Sequence, residues 1–80
     1  MKLNLYYAVV NRYRSEAQEA LSALEMFLNE PSAVSGHSDF VDEIKKSTDK
    51  LVMAEKSMET LNKYFGAQVE KQQNPKKEDQ

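Results

Sequence analysis

The 80-residue sequence contains no cysteine and no tryptophan, and only one histidine, two glycines and two prolines. Without cysteine the chain has neither a disulfide framework nor a thiolate metal site. A single histidine, His37, also argues against a conventional zinc site. A domain this small buries only about 60% of the surface that its unfolded chain exposes. Packing of long helices is therefore the expected means of stabilisation.

Long apolar runs are also missing. The longest stretch, residues 5–10, has six residues before Asn11 and Arg12. A transmembrane helix needs about 20 apolar residues, and a signal peptide needs a longer apolar core with a small-residue cleavage site. We therefore expect a cytoplasmic protein that makes no contact with a membrane.

The sequence holds no pattern typical of catalysis or cofactor binding. Gly36 and Gly66 are its only glycines and neither belongs to a phosphate-binding loop. With one histidine and no cysteine, the spacing supports no pair of nucleophile and base. We expect no enzymatic activity, no cofactor, no metal and no small-molecule substrate. The net charge of −2 argues against nucleic-acid binding, which normally requires a strongly basic face.

What the sequence does contain is apolar periodicity typical of two helices. In the first segment, residues recur at alternating steps of three and four: Leu3, Tyr6, Val10, Tyr13, Ala17, Ala20, Leu24 and Phe27. This pattern predicts a helix from about residue 3 to about residue 29. The same spacing returns at Phe40, Ile44, Ser47, Leu51, Ala54, Met58, Leu61 and Phe65.

The boundaries of the second helix follow from capping and breaking residues. Pro31 ends the first helix, and a loop is expected over residues 30–38. Ser38 or Asp39 is the expected N-cap of the second helix, predicted over about 39–73. That helix could end at Gly66, but the residues that follow are mostly good helix formers, which favours continuation to Gln73. Residues 74–80 are predicted to be a disordered charged tail.

Two long helices joined by one loop predict an all-α fold, a two-helix antiparallel hairpin over residues 1–73. The apolar width near the loop, at residues 24–28, predicts that burial is tightest there. Further apolar residues lie beside the two stripes, where a two-helix pair leaves them uncovered. We therefore expect the hairpin to be completed by dimerisation into a four-helix bundle or by a different protein.

Seven residues beside the stripes are candidates for contact with a partner. Tyrosine, arginine and large aliphatic side chains are typical of the energetically important positions of interfaces. The candidates are Tyr7, Arg14, Leu21, Leu28, Val41, Val52 and Tyr64. Tyr7 is the preferred aromatic candidate, because the other tyrosines of the first helix belong to the predicted core.

Charge is segregated along the first helix. Residues 1–15 carry three basic side chains and no acidic one, whereas residues 16–30 carry four glutamates and no basic side chain. This arrangement opposes the helix macrodipole, so helix stability does not explain it. It could set the orientation of a partner, or it could be a chance distribution of surface charges.

These observations favour a small protein-interaction module, such as an adaptor, co-chaperone or inhibitor, that presents an apolar hairpin face to another protein. The first alternative is a structural protein that assembles with itself as a four-helix-bundle dimer. A lesser alternative is RNA binding by such a dimer through its tyrosine and arginine side chains.

Overall fold

The computed structural model describes residues 1–30 and 39–73. Within these ranges the chain forms two α-helices, α1 (Leu3–Asn29) and α2 (Phe40–Gln73). α2 passes through Gly66 and ends only at Gln73. The predicted loop beyond Glu30, including His37, and the predicted tail at 74–80 lie outside the described residues.

The two helices pack side by side in opposite directions. At one end, the rings of Phe27 and Phe40 meet edge to face with centroids 5.9 Å apart. Near the other end, the side-chain amide of Gln72 donates a hydrogen bond of 3.0 Å to the carbonyl of Met1. We call these the loop end and the open end. The predicted all-α antiparallel hairpin is confirmed.

The predicted stripe of α1 forms its contact with α2. Every one of its eight residues, from Leu3 to Phe27, is buried or half-buried. Ala20 of α1 and Ala54 of α2 are almost fully enclosed. Because alanine side chains are short, the helix backbones can approach closely at mid-length. The heptad-like spacing therefore identified the side of α1 that faces its neighbour.

The predicted stripe of α2 is wrong in its last turns. Phe65 remains 43% exposed, whereas Val69, four residues further along, is buried. An α-helix with 3.6 residues per turn drifts by about 20° per heptad from a strict 3.5-residue repeat. Over the length of α2 this drift moves the contact away from Phe65 and toward Val69.

The expectation that burial is tightest at the loop end is also wrong. Among the described residues, the buried side chains are Ala20 and Ala54 at mid-length and Val69 at the open end. At the loop end, Leu28 is 64% exposed. A single neighbouring helix covers only one side of α1, so added apolar width there widens the exposed surface.

The two helices begin differently. At α2, the side chain of Asp39 accepts a hydrogen bond of 3.0 Å from the backbone N–H of Asp42, so Asp39 is the N-cap. Two acidic residues follow in the first turn, where the helix dipole favours them. The N-cap residue of α1 is Lys2, which makes no side-chain capping hydrogen bond. Packing against α2 therefore has to hold the start of α1.

Candidate interaction surfaces

One side of α1 carries four of the predicted interface residues at seven-residue intervals. We call Tyr7, Arg14, Leu21 and Leu28 together the Tyr7 flank. Each seven-residue step turns by about 20° around a helix, so the four form one row that drifts by about 60° from Tyr7 to Leu28. Leu21, Leu28 and Arg14 are exposed, and Tyr7 is half-buried.

Tyr7 is held by both helices at the open end. Its ring meets that of Tyr6 edge to face, with centroids 6.0 Å apart. Its hydroxyl accepts a hydrogen bond from the side-chain amide of Gln73, at the last residue of α2. Tyr7 therefore links α1 to α2 at the open end, and part of its side chain remains exposed to solvent.

Arg14 extends along α1 toward the N-terminus. Its guanidinium donates a hydrogen bond of 2.7 Å to the side-chain carbonyl of Asn11, one turn earlier. This bond places the positive charge level with Asn11, on the exposed side of the helix. It leaves other guanidinium N–H groups able to bind an acidic group.

The predicted candidates on α2 divide between different sides of the hairpin. Val41 is 73% exposed and follows Phe40, just as Leu28 follows Phe27, so both project at the loop end. Val41 lies next to the contact stripe of α2, as the Tyr7 flank lies next to that of α1, and both are on the same side of the hairpin. Val52 is also exposed and, about three turns after Val41, lies on the same side of α2. Tyr64 is also exposed but lies on the opposite side, with Lys63 5.3 Å from its ring centroid.

A groove that the sequence analysis missed lies at the open end, on the side opposite the Tyr7 flank. This Leu5 groove has a volume of about 330 Å³ and is lined by Met1, Lys2, Leu5, Tyr6, Val9, Leu61 and Phe65. Nearly all of these side chains are apolar, and both helices contribute. Val9 and Leu61 also line a second concavity, which continues past Tyr13 toward Lys56.

Leu5 and Val9 were overlooked because neither belongs to the three–four stripe. They lie four residues apart, so they are neighbours on one side of α1. The sequence therefore contained a signal for this pair. It contained no signal that Phe65 lines the groove, because the three–four stripe of α2 assigned Phe65 to the contact between the helices.

Basic side chains surround the Leu5 groove. Lys2 lines it, Lys56 lines its continuation, and Arg12 lies beside Val9 and Tyr13 in an adjoining hollow. Glu16 borders the same hollow as Arg12, and the ammonium group of Lys56 lies 3.8 Å from a carboxylate oxygen of Glu59. The balance of charge around the groove is positive, although the chain as a whole is acidic.

The described residues contain no grouping of three or more His, Asp or Glu side chains that could hold a metal ion. Neither described helix carries a stretch of apolar residues long enough to cross a bilayer. Comparison of the chain with protein-family models, curated proteins and solved structures finds no match.

Proposed function

We propose that this chain is a non-enzymatic protein-interaction module that binds a helical segment of another protein in the Leu5 groove. One observation carries the proposal. Among the described residues, the buried side chains are Ala20, Ala54 and Val69, whereas eleven large hydrophobic side chains are exposed. Four of the eleven, Met1, Leu5, Val9 and Phe65, line the Leu5 groove. Exposed apolar area in a groove that is bordered by charge is typical of an interaction site.

The groove suits an amphipathic helix with acidic residues beside its apolar stripe. Leu5, Val9 and Phe65 offer an apolar surface shared by two helices, which can accept a third helix in antiparallel or parallel orientation. Lys2 and Lys56 lie along this surface and Arg12 borders it. Complementary charge would guide the approach of an acidic helix and reject a basic one.

A capture experiment with matched variants tests the proposal. The wild-type chain, Val9→Glu and Met26→Glu are each immobilised and exposed to an extract of the cells that produce the protein. Val9 lines the groove, whereas Met26 is exposed near the end of α1 and lines neither the groove nor its continuation. We expect a protein to be captured by the wild type and by Met26→Glu but not by Val9→Glu. Equal capture by all three, or no enriched protein, would contradict the proposal.

Synthetic peptides test the chemistry of the proposed partner. Two helical peptides share one apolar stripe of leucines and differ in carrying glutamate or lysine beside it. We expect the acidic peptide to bind at least about tenfold more tightly at low salt, with the difference shrinking as salt is added. Equal affinities for the two peptides would exclude the acidic-helix assignment.

A further inference from the structure

The charge gradient of α1 is not balanced within the hairpin. Its first half is basic and its second half acidic, whereas acidic and basic residues alternate along α2. Among the described residues, the ion pair that joins the helices is Lys50 with Glu19, at 3.4 Å. α2 therefore has no charge gradient in the opposite direction that would neutralise the gradient of α1.

A second copy of α1, running in the opposite direction, would supply the opposite gradient. On the side of α1 that carries the Tyr7 flank, this gradient consists of Arg14 and Glu25. Lys2, Arg12 and Glu16 border the Leu5 groove or its adjoining hollow, on the opposite side. A two-fold axis that passes between the two copies of α1, level with the middle of the Tyr7 flank, places Arg14 of each copy near Glu25 of the other. Two-fold interfaces are self-complementary in this way, because each contact occurs twice.

The Tyr7 flank has the spacing that such a pairing requires. With the axis at mid-flank, Tyr7 faces Leu28 of the second copy, and Leu21 lies beside the aliphatic part of Arg14. The guanidinium of Arg14 is level with Asn11, where the hydrogen bond to that residue holds it. Glu25 of the second copy reaches the same level. The arginine and the glutamate can therefore form a charged pair, and symmetry forms it twice.

α2 fits the same arrangement. Glu19 lies level with Lys50, so the middle of the Tyr7 flank lies level with Val52. The two-fold axis then brings Val52, which is 57% exposed in the single hairpin, close to Val52 of the second copy. An apolar contact at the centre with charged pairs farther out is the usual layout of an interface.

We propose that two copies of this chain associate through their Tyr7 flanks as an antiparallel, two-fold four-helix bundle, with Arg14 of each copy paired with Glu25 of the other. The interface lies opposite the Leu5 groove, so each dimer would carry two free grooves. Dimerisation and partner binding in the groove can therefore succeed or fail independently.

Charge reversal tests the pairing. In Arg14→Glu, two glutamates face each other twice across the interface, and in Glu25→Arg two arginines do. We expect each variant alone to dimerise about tenfold or more weakly than the wild type in sedimentation equilibrium. An equimolar mixture of the two restores both attractive pairs. It should form a heterodimer with an affinity near that of the wild type, which also shows that both variants fold.

Arg12→Glu is the matched control, because it makes the same change of charge in the same half of α1 on the opposite side. Its dimer affinity should stay within about threefold of wild type. Wild-type chains that remain monomeric would overturn the proposal. So would single variants that dimerise like the wild type, or a mixture that associates no better than its components.

A crosslink tests the orientation independently. Because the native chain has no cysteine, Gln18→Cys introduces a single thiol beside the proposed axis, and Thr60→Cys introduces one on the groove side. A short bismaleimide should join two copies of Gln18→Cys rapidly and leave Thr60→Cys largely monomeric. Equal crosslinking of both variants would rule out the proposed orientation.

Discussion

At the residue scale, Ala20 and Ala54 set the distance between the helices. They are 2% and 3% exposed, and each lies on the side of its helix that faces the other helix. A larger side chain at either position has no free volume to occupy and has to push the helices apart. Small residues at these two positions are therefore a requirement of the hairpin and not merely a preference for helix-forming residues.

Ala54→Leu should accordingly destabilise the hairpin by about 1–3 kcal/mol, the usual cost of overpacking a close contact. The measurement is thermal unfolding followed by circular dichroism at a fixed protein concentration. Ala8→Leu, at an exposed position of α1, is the control and should change stability by less than about 0.5 kcal/mol. A higher melting temperature for Ala54→Leu would show that the helices do not approach closely there.

Gly66 lies inside α2 although glycine is a poor helix former. A Cβ atom added there would overlap the side-chain amide of Asn62, while its next nearest neighbours belong to the same side chain. Because Asn62 is flexible and exposed, it can rotate away. Close approach of α1 is therefore not the reason for the glycine.

Gly66→Ala should stabilise the chain by about 0.5–1 kcal/mol, the difference in helix propensity between the two residues. The substitution is best compared in two backgrounds, wild type and Asn62→Ala, by urea unfolding. We expect the full gain in the second background, where the obstructing amide is gone. A loss of stability in both would mean that the helix needs glycine for another reason.

At the scale of the helices, α1 and α2 differ in how their termini are stabilised. α2 has a capping carboxylate and acidic residues in its first turn, whereas α1 has neither an N-terminal acid nor a basic residue in its last turn. α2 is thus favoured by local interactions, and α1 depends on contacts with other helices.

Asp39→Ala removes the hydrogen bond that the cap accepts from the N–H of Asp42. It should cost about 1 kcal/mol of stability. Asp39→Asn keeps an acceptor oxygen and should recover most of the loss. Chemical unfolding of the three proteins under identical conditions measures the difference. If Asp39→Ala is as stable as wild type, the start of α2 does not limit the stability of the hairpin.

The periodicity of the sequence predicted both helices and the contact stripe of α1, because both depend on local spacing. It did not predict that the contact on α2 passes from Phe65 to Val69, since this depends on how two long helices twist around each other. The Leu5 groove was missed for the same reason. Its walls come from both helices, and their relative rotation is a tertiary property.

At the scale of the whole molecule, the hairpin buries little for its length. Its enclosed side chains in the described ranges are two alanines and one valine, and burial of large apolar side chains is the main source of stability for small domains. Exposed apolar residues lie on both sides of the hairpin. We infer that contact with another chain supplies a substantial part of its stability.

The most direct test is the dependence of mass and melting temperature on concentration. The purified chain is diluted a hundredfold, with its mass followed by light scattering and its unfolding by circular dichroism. If association stabilises the fold, the mass approaches twice the 9.2 kDa of one chain at high concentration, and the melting temperature falls with dilution. A fully helical 9.2 kDa monomer with a constant melting temperature would contradict this account.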